Sequence, residues 1–161
     1  MTGADRLRRA GAALILLLSL VMALTLTSAP ARAATSQPAM SSATLGDRVL
    51  NKAESKAGSW YQWAAAGPST FDCSGLVVWA AGQLGVYVPH STYSMLAGTS
   101  HLYRIPLSWA RRGDLMFYGS GHVEINTGWY HTTFGAQRTG TRVWWHPWSG
   151  YWAPTMAMRF R

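Results

Sequence analysis

The chain runs to 161 residues with a formal net charge of +8, one cysteine and five histidines. One cysteine rules out an intramolecular disulfide framework, and histidines with neither i, i+4 spacing nor cysteine partners argue against a metal site such as zinc. Basic residues scattered along the chain leave no nucleic-acid footprint, and nothing in the pattern calls for a cofactor.

Residues 1–33 read as an export signal. Arg6, Arg8 and Arg9 precede an apolar run from Leu14 to Leu26, and Ala31-Arg32-Ala33 supplies a cleavage site. That run, about 13 residues, falls short of the ~20 a bilayer crossing needs, so no stable membrane anchor is expected. The expected location is outside the cell, secreted or associated with the wall. Residues 34–43, rich in Ser, Ala, Pro and Gln, read as a disordered leader. Residues 44–161 then form one domain, long enough for a real core but not for two, and a monomer is expected. The modest positive charge left after removal of the export signal's arginines suits an anionic polymer such as a bacterial wall.

Thr44 followed by Asp47 marks a helix start, with Leu45, Val49, Leu50 and Ala53 at helical spacing and an end near Gly58. Residues 59–72 carry Gly67-Pro68 and read as a loop. Ser74 to Leu84 is almost wholly apolar and predicts a buried helix capped by Gly85, with Cys73 at its first turn. A short helix is expected within residues 89–98, started by Ser91 or Thr92. After the turn signal Arg111-Arg112-Gly113-Asp114 the pattern changes, and residues 115–118, 122–126, 131–136, 141–145 and 155–160 all read as strands. Helices first and a meandering antiparallel sheet afterwards give an α+β domain.

The chemistry concentrates at Cys73. A helix N-terminus presents free N–H groups and a partial positive charge, which favour a thiolate, and Ser74-Gly75 leaves room for a substrate. His122, at the start of a strand behind Gly119-Ser120-Gly121, is the candidate base. A lone thiol with a histidine elsewhere in an exported chain is a nucleophile-and-base pair, and a thiol hydrolase is the function it points to. The competing structural explanations are a small buried cysteine and a satisfied histidine.

Three segments resemble the landmarks of NlpC/P60 peptidases: Phe-Asp-Cys-Ser-Gly-Leu at 71–76, Arg-Gly-Asp-Leu at 112–115 and Gly-His-Val at 121–123. The run-up Gly58-Ser59-Trp60-Tyr61-Gln62-Trp63 and Gly67-Pro68 is also similar, so the resemblance covers most of the domain in the family's order. It implies a papain-like fold, N-terminal helices bearing the cysteine packed on an antiparallel sheet bearing the histidine. It further implies a peptidoglycan endopeptidase that cuts stem peptides, often between D-glutamate and the diamino acid, through an acyl-enzyme. By the same resemblance Cys73 attacks the carbonyl, His122 moves the proton, and Tyr61, Asp72 and Ser74 line the substrate cleft. Asp72 stands equally well as the helix cap.

Some positions depart from the family pattern. Ala64-Ala65 stands where the family has Gly-Gly, His90-Ser91 where an arginine is common, and Glu124 where glycine is frequent. The residue orienting His122 usually comes from the next strand, where this chain has Phe134. His131 is nearest in type and is the expected third residue, although strand alternation puts it on the opposite face from Phe134. Gln137 and His146 are the alternatives. All nine tryptophans lie outside residues 1–33, and Trp129, Trp144, Trp145, Trp148 and Trp152 crowd the last third. Core packing accounts for most of them, with Trp148 and Trp152 left as candidates for a surface that stacks on sugar or wall peptide. Two rival functions remain: an N-acetylmuramoyl-L-alanine amidase using the same residues, and a non-catalytic Trp-rich wall-binding protein.

Overall fold

A computed structural model describes residues 42–161. The expected export signal and most of the expected leader lie outside the described residues. Helix α1, Leu45–Glu54, opens on a capping box in which the Thr44 hydroxyl accepts from the Asp47 N–H and the Asp47 carboxylate accepts from the Thr44 N–H. Its apolar stripe buries Val49, Leu50 and Ala53.

The next segment is less irregular than its Gly-Pro content suggests. Trp60–Tyr61 (β1) and Thr70–Phe71 (β2) pair in parallel and fix the chain on both sides of an excursion that carries Trp63 and Ala64. Helix α2, Cys73–Gly82, follows directly. It is apolar on nearly all sides, and Leu76, Val77, Ala80 and Ala81 are buried between α1 and the sheet. Helix α3, Thr92–Leu96, starts on a cap from the Ser91 hydroxyl.

The second half is a six-stranded antiparallel sheet. Its strands are β3 (Leu102–Ile105), β4 (Leu115–Tyr118), β5 (His122–Asn126), β6 (Thr132–Gly135), β7 (Trp144–Pro147) and β8 (Met156–Phe160), in the order β3-β8-β4-β5-β6-β7. The α+β expectation therefore holds. Details differ: α1 stops at Glu54 and α2 at Gly82, short of the expected Gly58 and of Leu84 with its Gly85 cap. Strand β3 does not stand out as a strand in the sequence, and β7 begins at Trp144 and runs to Pro147, later than the expected 141–145.

Strand alternation divides the sheet into two faces. Phe117, Val123, Ile125 and Phe134 join α1 and α2 in one hydrophobic core. The register pairs Tyr118 with His122, Asn126 with Thr133, and Thr133 with His146, which gathers a polar set on the other face. The Arg-Gly-Asp segment is a brace between layers. Arg112 donates to Asn51 on α1 at 2.7 Å and to the Thr127 carbonyl at 3.0 Å, while buried Asp114 accepts from Arg159 on β8 at 2.9 and 2.8 Å. No helix among the described residues is long and apolar enough to cross a membrane.

Candidate active site

Cys73 is the first residue of α2 and half-buried. Asp72, immediately before it, is the N-cap and accepts the Gly75 N–H at 2.6 Å through Oδ1. The Leu76 N–H is taken by the Asp72 carbonyl at 3.0 Å. Among the described residues the N–H groups of Cys73 and Ser74 are left without a protein acceptor, pointing out of the helix end beside the sulfur. Gly75 is required for close approach: a Cβ there would lie 2.0 Å from the Ala65 carbonyl oxygen. That contact holds the excursion against the helix start. Within it Ala64 takes φ 60°, left-handed backbone at a position where glycine would be unstrained.

His122 is the first residue of β5, and its buried ring is near enough to Cys73 for the thiol to act on its protonation. Its Nε2 meets Oε1 of Glu124 at 3.2 Å, which leaves Nδ1 for the thiol side. Burial by itself would lower the His122 pKa. Hydrogen bonds to Cys73 and Glu124, with their charges, outweigh it and push the value up to about 9.

Glu124 is wholly enclosed, and it is the residue the sequence reading passed over. Its Oε2 accepts the Thr133 hydroxyl at 2.5 Å, and that hydroxyl also lies 2.9 Å from the Tyr118 oxygen. His146 Nδ1 comes to 3.0 Å from Oε1, an ion-pair contact too poorly angled to count as a hydrogen bond. Burial would raise the Glu124 pKa, but His122, His146 and Thr133 hold it down at about 2. Trp152 closes this polar cluster from outside, stacked on Tyr118 at 4.7 Å with its ring 5.5 Å from that of His122.

His131, the expected orienting residue, is corrected by this geometry. It sits ahead of β6, at the opposite end of β5 from His122, exposed at φ 45° and stacked between Tyr130 at 3.9 Å and Trp148 at 4.1 Å. Phe134 cannot serve either, because it faces the core, edge-on to Trp145. Of the two alternatives, His146 touches Glu124 and not His122, while Gln137 lines a neighbouring cavity.

Tyr61, Asp72 and Ser74 all gather around Cys73. A cavity of about 270 Å³ opens there, lined by Trp63, Asp72, Cys73, Ser74, His90 and Gly121, among others. Tyr61 is close enough that burial, then the Cys73 and Asp72 charges, raise its pKa. Asp72 is both cap and wall: His90 Nε2 lies 3.0 Å from each of its oxygens, and the Ser74 hydroxyl donates to Oδ1 at 3.1 Å. No cluster of metal-ligating side chains occurs among the described residues. The arrangement can supply a nucleophile, a protonated imidazole locked by a buried carboxylate, and free N–H donors.

The NlpC/P60 family model matches residues 58–157 of the chain. A probable endopeptidase of Corynebacterium glutamicum is 40% identical over 103 residues, covering 62% of this chain and 46% of that protein. The chain thus spans less than half the length of the curated relatives it matches. Among solved structures, the P60 domain of the antigen MAP1204 from M. avium subspecies paratuberculosis superposes with a TM-score of 0.62 at 27% identity, covering 71% of this chain and 93% of that one. The peptidoglycan hydrolase RipB from Mycobacterium tuberculosis gives 0.61 at 26% identity, covering 71% and 64%.

Proposed function

The chain belongs to the NlpC/P60 family, and from that premise we propose that it is a peptidoglycan hydrolase, a cysteine endopeptidase that cuts wall stem peptides between D-glutamate and the diamino acid. The observation that carries this reading is the chain Cys73–His122–Glu124, with His122 and Glu124 buried and Cys73 half-buried at the edge of a cavity. A binding protein of the same fold needs no protonated histidine held against a thiol by an enclosed carboxylate.

In the proposed reaction the Cys73 sulfur attacks the scissile carbonyl while His122 carries the proton. The N–H groups of Cys73 and Ser74 hold the oxyanion. The C–N bond breaks as His122 delivers its proton to the leaving amine, and a thioester to Cys73 remains. Water then attacks that thioester, His122 takes the water's proton, and the carboxylic acid leaves as the sulfur departs. Glu124 keeps the imidazole oriented and compensates its charge at each stage. Asp72 with His90, Tyr61 and Ser74 bind the acyl side of the stem peptide. An export signal at residues 1–33 is consistent with work outside the cell.

The test is mass spectrometry of soluble products after the protein digests purified peptidoglycan, with Cys73→Ala alongside. Fragments ending at glutamate, absent with the variant, are expected. Intact stem peptides would make the protein an amidase, and tight sedimentation on the wall without release would make it a binder.

A further inference from the structure

A second cavity, about 450 Å³, separate from the one at Cys73, is lined by Gln137, Arg138, His146, Pro147 and Trp152. Nothing in the reaction outlined above uses it. Two of its walls are already tied to the catalytic cluster: the Trp152 ring lies 5.5 Å from the His122 ring, and His146 Nδ1 lies 3.0 Å from Glu124. The cavity at Cys73 holds an acid, Asp72, whereas this one holds no acid and one guanidinium.

Arg138 has no carboxylate partner among the described residues. Its backbone is nonetheless fixed. Its N–H donates to the Thr141 hydroxyl at 3.3 Å, and its carbonyl accepts from the Thr141 hydroxyl at 2.7 Å and the Thr141 N–H at 3.1 Å. The one acid nearby, Glu124, is wholly enclosed behind His146 and matched by His122, so it presents no charge to the cavity. An unpaired guanidinium, a side-chain amide and an indole face together suit a planar anion attached to a small apolar group.

We propose that this cavity is the leaving-group subsite and that it takes the terminal carboxylate of the residue or short peptide on the amine side of the scissile bond, with Arg138 as its specificity-determining residue. The proposal rests on the endopeptidase reading. It makes the cleft electrostatically polar: an acid beside Cys73 and a cation beyond His122, matched to a short peptide with a free carboxyl end. Peptides that continue past that carboxylate, as in cross-linked wall, are poorer substrates.

The test compares two synthetic stem peptides that differ only in ending, on the amine side, in a carboxylate or a carboxamide. The acid is expected to be cleaved with a kcat/KM about tenfold higher, mostly through KM, the scale of one charge-assisted contact. In Arg138→Ala the acid-to-amide ratio falls towards one, and in Arg138→Lys it is intermediate. Calorimetric binding of L-lysyl-D-alanine and its carboxamide to the protein reads the same subsite without any cleavage, with the same expected ratio. Cys73-dependent cleavage with no preference for the acid, or a preference that survives Arg138→Ala, overturns the subsite and leaves the endopeptidase. Preferential binding of the free dipeptide acid, lost in Arg138→Ala, with neither stem peptide cleaved, overturns the endopeptidase and leaves the subsite. Equal binding of the two dipeptides overturns the subsite whatever the cleavage result.

Discussion

Glu124 and His122 stand two residues apart on one strand and meet, Oε1 to Nε2, at 3.2 Å. Alternation puts both side chains on the same face, so the carboxylate that holds the imidazole comes from the histidine's own strand. Glu124→Gln keeps the shape and removes the charge. The variant is expected to lose about 100-fold in kcat/KM, the scale of mispositioned acid–base chemistry. The alkaline limb of the pH profile, expected near 9 in the native protein, should move to lower pH, because burial of His122 is then less opposed. A limb that stays in place would remove Glu124 from the mechanism.

Stability should carry the same signature. His122 has a folded pKa of about 9, above its ordinary 6.5, so the pairing stabilises the fold fully below about pH 6.5 and is lost as pH rises through about 9. The Glu124 pKa is depressed to about 2 by the same contact, so that end is lost only as pH falls from 4.5 through about 2. Urea midpoints of the native protein should decline between about pH 6.5 and about pH 9, and the decline should shrink in Glu124→Gln. Equal slopes in the two proteins would place the titration elsewhere.

Trp152 covers this pair while remaining 46% exposed itself. Water admitted to a buried polar contact weakens it. Trp152→Ala is therefore expected to lower kcat/KM about tenfold, the scale of one compromised hydrogen bond, with the fold retained by circular dichroism. Trp152→Phe should keep most of the activity. Loss of folding in Trp152→Ala would instead make the ring a core element.

Much of this architecture was legible because it follows local rules. Thr44 with Asp47, the apolar run after Cys73 and the Gly-punctuated strands each specify their element through capping, burial or period. The places of Cys73 and His122 follow from those elements, since one starts a helix and the other a strand. Glu124 was not legible as a partner. Alternation along the strand already puts it on the face of His122, but the space it fills, opposite Gly135, depends on register between β5 and β6, which is a long-range property. His131 was misplaced for the same reason: as a residue type it fits, but it lies in the turn before β6 at the far end of the hairpin. β7 slid to Trp144–Pro147 because its pairing to β6, and not its own composition, sets its bounds.

The backbone beside the nucleophile stores strain that one substitution can relieve. Ala64 takes φ 60°, where a Cβ costs about 1 kcal/mol and glycine costs none. Ala64→Gly should therefore raise stability by up to about 1 kcal/mol, offset in part by the added freedom of the unfolded chain. Thermal unfolding of the two proteins measures it. A lower melting temperature in Ala64→Gly would mean that the methyl group packs to more effect than the strain costs.

Gly135 on β6 is the counterpart of Glu124 on β5. A Cβ on Gly135 would lie 2.5 Å from Glu124 Cγ and 3.0 Å from Cδ, so the bare backbone there is the room the carboxylate occupies. Both residues are enclosed, and Glu124 is further pinned by Thr133 and His146, so it cannot swing aside without losing those partners. Gly135→Ala should destabilise the protein by about 1–3 kcal/mol, the usual cost of overpacking, and should depress kcat/KM as Glu124 leaves His122. The origin of the cost is separable by a double-mutant cycle. In a Glu124→Ala background the two shortest contacts, to Cγ at 2.5 Å and Cδ at 3.0 Å, are gone and only the Cβ at 3.1 Å remains, so Gly135→Ala should cost much less there than in the native protein. Additive costs would show that Gly135 is needed for its own backbone and not to make space for the carboxylate.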